Sequence, residues 1–400
     1  MTVRALACLA VVSGCATLAD EPVDEATQEL NGDTWTDADD NPYTSGAGAE
    51  NYGIAISPVS HKILVAGDRL ESDGTPTWIV RGSPAGSTTF GLSSTFKLAA
   101  GKTSEAVDVA VDAKGVWYVV GDAADANGDF HWIVRRSDDD GATWQTVFNA
   151  AVDGHPSHIA VDAAYNVFVT GSIVTPTGAR AIVLRGASQG ATWAGVRSYQ
   201  PTAYDASATG VCTGNFIGAT HVFVVTTVFD SPTTSHVAVL HSGNGGSLWQ
   251  VAFTTQSLAE SFGFGCAGLP SSSVFFALGA NDTMGSSQWD TATVSSFIPP
   301  WVLQHDTVTS ASGETQDAFA VANVGARIYT AGRYDGPGQH WHVRMRVGST
   351  WMDSDDYIGP GTIALSEANS IAYDETRGLY VAGKAYDDTG RLHGIVRHRK

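Results

Sequence analysis

The sequence predicts an all-β protein, a seven-bladed β-propeller of four-stranded antiparallel blades whose last blade is closed by an N-terminal strand. Three observations predict it. A short apolar run ending in glycine recurs at a spacing of roughly fifty residues, the period of propeller blades. No helical periodicity competes with these runs. One aromatic residue recurs once per repeat, at a fixed place after each run. The composition agrees, since 43% hydrophobic, 10% aromatic and 16% charged residues with 44 glycines in 400 describe a packed, turn-rich chain.

Taken in chain order, residues 1–4 make a short basic start and residues 5–12 an apolar run too brief to span a bilayer, as in a secretory signal peptide over residues 1–14. Val12-Ser13-Gly14-Cys15 is similar to a bacterial lipobox, which implies cleavage before Cys15 and lipid attachment to it. An ordinary signal peptide with a coincidental cysteine is the alternative, and would give a secreted protein. Residues 15–33 are acidic and lack aromatic side chains, so they cannot build a core and read as a disordered tether. The expectation is an exported cell-envelope lipoprotein, a monomer that meets a membrane only through its N-terminal lipid.

The body is then read as one domain, residues 34–400. Residues 63–67, 117–121, 167–171, 328–332 and 379–383 carry the apolar run and its glycine, and residues 222–226 and 274–279 fill the two remaining slots. About ten residues earlier lies another strand in each repeat, marked by a small residue: Ala55, Ala110, Ala160, Cys212, Cys266, Ala320 and Ala372. Third strands follow at 78–81, 132–135, 181–184, 237–240, 341–344 and 394–397, with an irregular one near 291–294. Fourth strands carry the aromatic column Trp35, Phe90, Trp144, Trp193, Trp249, Trp301 and Trp351. The last repeat ends at Lys400 after its third strand, and Trp35 precedes the first repeat without a partner. Joining the two fragments would pair edges that otherwise present free N–H and C=O groups. A solenoid of the same repeats is the alternative architecture.

Ser137-Asp138-Asp139-Asp140-Gly141-Ala142-Thr143-Trp144 matches the Asp-box, or bacterial neuraminidase repeat. Residues 242–249 and 186–193 look like eroded copies, and residues 348–351 retain the end. The chain thus resembles the sialidase-like Asp-box propellers over nearly its whole mature length. The resemblance implies a hairpin clamp between third and fourth strands, away from any catalytic pocket, in which Ser137, Asp139, Gly141 and Trp144 are structural. That family includes sialidases, other glycosidases, assembly factors and receptors, so the fold does not set the function.

A formal net charge of −19 disfavours nucleic acid, whose binders need a basic face to release counterions. The sialidases of the family use three arginines, a Tyr/Glu pair and an acid near the axis, usually on six blades. Here the recurring Arg81, Arg135, Arg344 and Arg397 lie on third strands, and Arg-Ile-Pro is absent. Salt bridges between blades are expected of them, with Asp112, Asp162 and Asp374 either as partners or as caps of their own turns. Glu50, Glu105, His155 and Glu367 stand five residues before the small slot, with Glu260 and Asp317 slightly displaced. They would rim one mouth of a central channel. Such residues cap turns, bind a cation or sugar hydroxyls, or cleave a glycoside if two approach within about 5.5 Å.

No metal or cofactor is expected. Asp125-Ala126-Asn127-Gly128-Asp129 has calcium-loop spacing but occupies a hairpin turn, and His131, His340 and His393 fall on separate blades. Neither His-Glu-x-x-His nor a phosphate-binding loop occurs. Cys212 and Cys266 occupy equivalent slots and form a disulfide if their Cα atoms lie within about 7 Å; two buried thiols are the other reading. The function read from all this is a lipid-anchored binding or scaffolding module for a protein or glycan ligand. A sialidase-like glycoside hydrolase using the mouth carboxylates is the alternative.

Overall fold

The computed structural model describes residues 34–400 apart from 217, 257–259, 269–273, 282–286, 295–301, 306–315, 326, 336–337 and 364. The signal peptide, Cys15, the tether and Trp301 lie outside the described residues, and of Glu260 only the backbone is described.

A single strand, β1 (Thr36–Asn41), comes first. A meander of four antiparallel strands follows: β2 (Gly48–Ile56), β3 (Ile63–Leu70), β4 (Pro76–Ser83) and β5 (Gly91–Phe96). The same unit recurs as β6 (Ser104–Val111), β7 (Trp117–Ala124), β8 (Phe130–Ser137) and β9 (Gln145–Ala151), then as β10 (Gly154–Val161), β11 (Val167–Thr175), β12 (Gly178–Gly186) and β13 (Thr192–Tyr199). Next come β14 (Ala206–Phe216), β15 (Ala219–Ser231), β16 (Thr234–Ser242) and β17 (Gln250–Thr254), and β18 (Glu260–Gly268), β19 (Val274–Asn281), β20 (Ser287–Val294) and β21 (Val302–His305). The sixth unit is β22 (Gln316–Val324), β23 (Arg327–Asp335), β24 (Gln339–Val347) and β25 (Thr350–Tyr357). The chain ends with β26 (Ser366–Asp374), β27 (Gly378–Tyr386) and β28 (Leu392–Arg399). Among the described residues only the turn Ala187–Gly190 is helical.

The last three strands take β1 as their fourth. It pairs antiparallel with β28 from Thr36↔His398 to Asn41↔Gly394. Trp35 Nε1 donates to Ser354 Oγ at 3.2 Å, and Arg397 bonds Asp355 through Nε and Nη2 at 2.6 and 2.8 Å and Asp37 through Nη1 at 2.6 Å. The pairing therefore rests on a largely buried guanidinium with two carboxylates as well as on the ladder.

First strands of successive units pack together, β2 on β6, β6 on β10, β10 on β14, β14 on β18, β18 on β22, β22 on β26 and β26 on β2. Each sheet is thus covered on both faces, which is why β7 is buried throughout and reads as an unbroken apolar run. The fourth strands β5 and β9 have no buried residue, as befits outer edges. Between the first two sheets Leu64, Trp78 and Val80 pack on Val109, Trp117 and Val119. Trp78, Trp132 and Trp341 are fully buried. A ring of that size buries on the order of 200 Å², about 5 kcal/mol of transfer free energy before entropy.

The recurring glycine has a steric cause. In every first strand a β-bulge shifts the register, at Asn51/Gly53, Ala106/Asp108, Pro156/His158, Ala208/Gly210, Gly263/Cys266, Ala318/Ala320 and Ala368/Ser370. Facing it in five of the sheets is the glycine of the second strand. A Cβ on Gly67, Gly121, Gly171, Gly332 or Gly383 would stand 2.0, 1.9, 2.2, 1.8 or 2.0 Å from the carbonyl oxygen of Glu50, Glu105, His155, Asp317 or Glu367. It would also strike the neighbouring indole, Trp78 at 2.5 Å from Gly121, Trp132 at 2.7 Å from Gly171 and Trp341 at 2.6 Å from Gly383.

The small slot pairs with the second strand as Ala55↔Leu64, Ala110↔Tyr118, Ala160↔Phe168, Cys212↔Phe223, Cys266↔Phe276 and Ala372↔Tyr380. In the sixth unit the residue in that register is Ala322, opposite Tyr329, and not Ala320, which adjoins the bulge. Cys212 and Cys266 form a disulfide between β14 and β18, with Cα atoms 5.6 Å apart.

The turn from β8 to β9 is held from within. Ser137 Oγ donates to Asp139 Oδ1 and accepts from the Gly141 N–H, both at 2.8 Å. Asp139 accepts the Thr143 N–H at 2.8 Å and its hydroxyl at 2.5 Å, bonds that lower its carboxyl to about 2. Trp144 Nε1 reaches the Gly141 carbonyl at 3.1 Å, and Gly141 has φ 79°. Ser242, Asn244, Gly246 and Trp249 repeat the arrangement between β16 and β17. Trp193 Nε1 donates to the Gly190 carbonyl in the weaker copy between β12 and β13.

Gly121→Ala puts a methyl against both a carbonyl and the Trp78 ring, an overpacking expected to cost about 1–3 kcal/mol. Thermal unfolding should show a lowered midpoint for this variant and an unchanged one for Gly91→Ala, where the added Cβ meets nothing within 4 Å.

Candidate functional site

The residue five positions before the small slot of each first strand holds one register position. There Glu50 faces Asp68, Glu105 faces Asp122, His155 faces Ser172, Asp317 faces Arg333 and Glu367 faces Lys384. Ser207 facing Thr227 and Ser261 facing Ala280 complete the set. Cross-strand partners share a sheet face, so each pair presents two side chains together. Asp317 is thus in register with Glu50, because the small slot of its strand is Ala322. Glu260 is not in that position, which belongs to Ser261.

Three of the second-strand residues, Arg333, Lys384 and Asp122, reach on to the first strand of the next sheet. Arg333 binds Asp317 Oδ2 at 2.7 Å and lies 3.6 Å from Glu367. Lys384 bridges Glu367 at 2.9 Å and Glu50 at 2.8 Å. Asp122 meets His155 Nδ1 at 2.7 Å. Asp68 feels the charges of both Glu50 and Glu105. The structure therefore brings Glu50, Glu105, His155, Asp317 and Glu367 into one polar arc and adds Asp68, Asp122, Arg333 and Lys384 to it. These four are the residues that the sequence reading missed. The signal was present, since each directly follows the recurring glycine, at Gly67, Gly121, Gly332 and Gly383.

Burial sets the electrostatics of the arc. Asp68 is 2% exposed, its Oδ1 has no hydrogen-bond partner, and burial with Glu50 and Glu105 pushes its carboxyl up to about 8 despite Lys384. Glu105 is raised by burial, Asp122 and Glu50, and Asp122 and Asp317 are raised by burial against their His155 and Arg333 partners. Burial works against the Lys384 ammonium, but Glu50 and Glu367 outweigh it and hold the charge.

Beside the arc lies a cavity of about 280 Å³ lined by Tyr52, Val107, Ser157, Phe264, Phe319 and Asn369 with Pro156 and His158. The first six come from the bulges of six different first strands, so the cavity sits where those strands converge. Phe264 and Phe319 meet edge to face at 4.8 Å. Tyr52 joins cavity to arc, its Oη donating to Glu50 Oε2 at 2.8 Å, and burial with Asp68 and Glu50 raises its phenol, which stays neutral.

The other candidates lie apart. Arg81 binds Asp39 at 2.9 Å, Arg135 reaches Ser94 at 3.2 Å, Arg344 pairs with Asp353 and Arg397 with Asp355. Three of these contacts run to the fourth strand of the preceding sheet. Asp112, Asp162 and Asp374 are not the partners of these arginines, because their Oδ1 atoms cap the N–H groups of their own turns. Asp125 Oδ1 accepts the N–H groups of Asn127, Gly128 and Asp129, a plain turn. His131, His340 and His393 pair separately with Asn149, Asp356 and Asp40. Among the described residues no group of three metal-ligating side chains converges. Gly186-Ala187-Ser188-Gln189-Gly190 has the spacing of a nucleophile elbow, but it joins two strands, with Ser188 at φ 51° and Gln189 at φ 61°.

The raised carboxyl of Asp68 makes stability depend on pH. A carboxyl that holds its proton more tightly when folded stabilises fully below its unfolded value of 3.8, and that contribution is lost as pH rises through about 8. Denaturant titrations between pH 4 and 8 should show a downward slope of about 1.4 kcal/mol per unit from this group. Asp68→Asn should flatten it.

No protein-family model matches the chain, and no curated protein does. Among solved structures, an ulvan lyase of polysaccharide lyase family PL25 superposes with a TM-score of 0.54 at 12% identity, over 88% of this chain and 95% of its own. A protein of unknown function from Dyadobacter fermentans DSM 18053 superposes with a TM-score of 0.51 at 11% identity, over 92% of this chain and 99% of its own. A Hadza microbial sialidase, Hz136, gives a TM-score of 0.47 at 11% identity, over 80% and 73%. At such identities the first two comparisons show the fold alone, and together with the repeated four-stranded sheets they make this chain a β-propeller.

Proposed function

We propose that the protein is a seven-bladed propeller of the Asp-box type, closed by β1, that binds a glycan at the axial mouth. The carrying observation is the polar arc from Asp317 to His155 standing beside a cavity walled by Tyr52, Phe264 and Phe319. Carboxylates accept bonds from sugar hydroxyls while aromatic rings cover the apolar faces of sugar rings, and bulge side chains held by paired strands keep their places. The unbroken succession of packed first strands and the β1–β28 ladder support the closed count of seven. Export as a monomer tethered through lipid on Cys15 completes the reading, and the acidic surface suits it.

Glycoside hydrolysis is the second reading, favoured by the 2.8 Å contact of Tyr52 with Glu50 and by an Asp68 that holds its proton near neutrality. The neutral phenol and the capture of Glu50 by Lys384 weigh against it. Hydrolysis is tested by a panel of fluorogenic glycosides, and turnover abolished by Glu50→Gln would establish it in place of binding.

Binding is tested on an oligosaccharide array followed by calorimetry. Glu105→Ala with Glu367→Ala should weaken the retained ligand at least tenfold while leaving the thermal midpoint within a few degrees. Undiminished binding by the double variant, or no oligosaccharide retained by the parent protein, overturns the proposal.

A further inference from the structure

Of the residues lining the axial cavity of about 280 Å³, Val107, Pro156, Phe264 and Phe319 offer only carbon in their side chains. The polar atoms of the lining are largely spent elsewhere. Tyr52 Oη donates to Glu50 at 2.8 Å, Asn369 Nδ2 donates to the Asn51 carbonyl at 2.9 Å, and His158 Nδ1 stands 3.1 Å from Asp108. A pyranose pushed into this cavity would bury several hydroxyls with few groups to answer them. An apolar group leaves nothing unanswered there, and gains by covering the phenylalanines.

The rim above the cavity is uneven in the same sense. The charged arc follows β22, β26, β2, β6 and β10, and stops at β14 and β18, where Ser207 faces Thr227 and Ser261 faces Ala280. In that gap aromatic rings take over. Phe264 of β18 packs edge to face on Phe319 with ring centroids 4.8 Å apart and lies 6.5 Å from Phe262, which in turn meets Phe229 of β15 at 6.2 Å. All four rings are half-buried. An apolar surface therefore continues from the cavity into the stretch of rim that lacks the arc's ion pairs.

We propose that the glycan bound at the mouth carries an apolar aglycone, an aryl group or an alkyl chain of similar size, which enters the cavity against Phe264 and Phe319 while the sugar hydroxyls stay at the arc. The inference rests on the glycan-binding reading of the same mouth and names its ligand class. Tyr52 marks the junction, since its side chain lines the cavity and its Oη is fixed on Glu50. A cavity of this size is at the small end of ligand pockets and admits one ring, not a chain of sugars. A charged substituent would lose its water there without gaining a counter-ion.

Calorimetry with the full chain tests this, using the methyl, hexyl and phenyl β-glycosides of glucose, galactose and N-acetylglucosamine. For a sugar that binds, the phenyl or the hexyl form should bind at least about tenfold more tightly than the methyl form, with a more negative heat-capacity change. Either order between phenyl and hexyl supports the assignment and tells aryl from alkyl. Phe264→Ser with Phe319→Ser removes the apolar wall and should bring the ratio of affinities close to one. Ser157→Trp fills the cavity from a half-buried position and should do the same, which keeps the test decisive if the double variant does not fold. Equal affinity of all three forms for the parent protein, or a preference that survives Ser157→Trp, overturns the aglycone assignment and leaves glycan binding standing. Binding of none of these glycosides overturns the aglycone assignment, and the oligosaccharide array then judges the glycan-binding reading separately.

Discussion

Each working sheet depends on one close approach, the carbonyl of a first-strand residue lying against a second-strand glycine. In five sheets no Cβ fits there, since it would stand within about 2.2 Å of that oxygen, the distance found at Gly171. The bulge drives the carbonyl inward, and the absent side chain admits both it and, in four of the sheets, the indole of the neighbouring sheet. The same geometry aims the side chain of the carbonyl's own residue. Glu50, Glu105, His155, Asp317 and Glu367 are the five residues whose carbonyls make the approach, so packing and site share a single constraint.

From that constraint the layout of the mouth follows. A bulge puts one extra residue on the first strand, and six such residues line the axial cavity. Two positions earlier stands the arc residue, and across the ladder from it the residue after the glycine. Rigid strands therefore hold every member of the site, in contrast to propeller surfaces assembled from long loops. The turns clamped by Ser137 and Asp139, and by Ser242 and Asn244, lie between third and fourth strands and secure the outer part of each sheet.

Electrostatics then divides the arc. On one side Arg333 and Lys384 neutralise Asp317, Glu367 and Glu50 in ion pairs, each cation serving two carboxylates. On the other, burial with Glu50 and Glu105 raises the Asp68 carboxyl although Lys384 acts to lower it. A protein carrying −19 of formal charge has many carboxylates to place, and Asp112, Asp125 and Asp387 satisfy themselves with N–H groups of their own turns.

The sequence by itself determined the repeat, its strands and its turns, because period, glycine and aromatic column are local signals that each unit restates. It also placed Glu50, Glu105, His155 and Glu367 together, since equal spacing from Ala55, Ala110, Ala160 and Ala372 implies equal depth in the fold. Only the tertiary structure decided the partners. Asp317 moved into register because the small residue opposite the second-strand aromatic is Ala322 and not Ala320, a pairing that spacing alone does not choose, and Glu260, six residues before Cys266, yields the position to Ser261. Lys384 and Arg333 became site residues because they cross to a neighbouring sheet distant in sequence, and whether Asp112 answers an arginine or its own turn is settled by which donor is nearer in space.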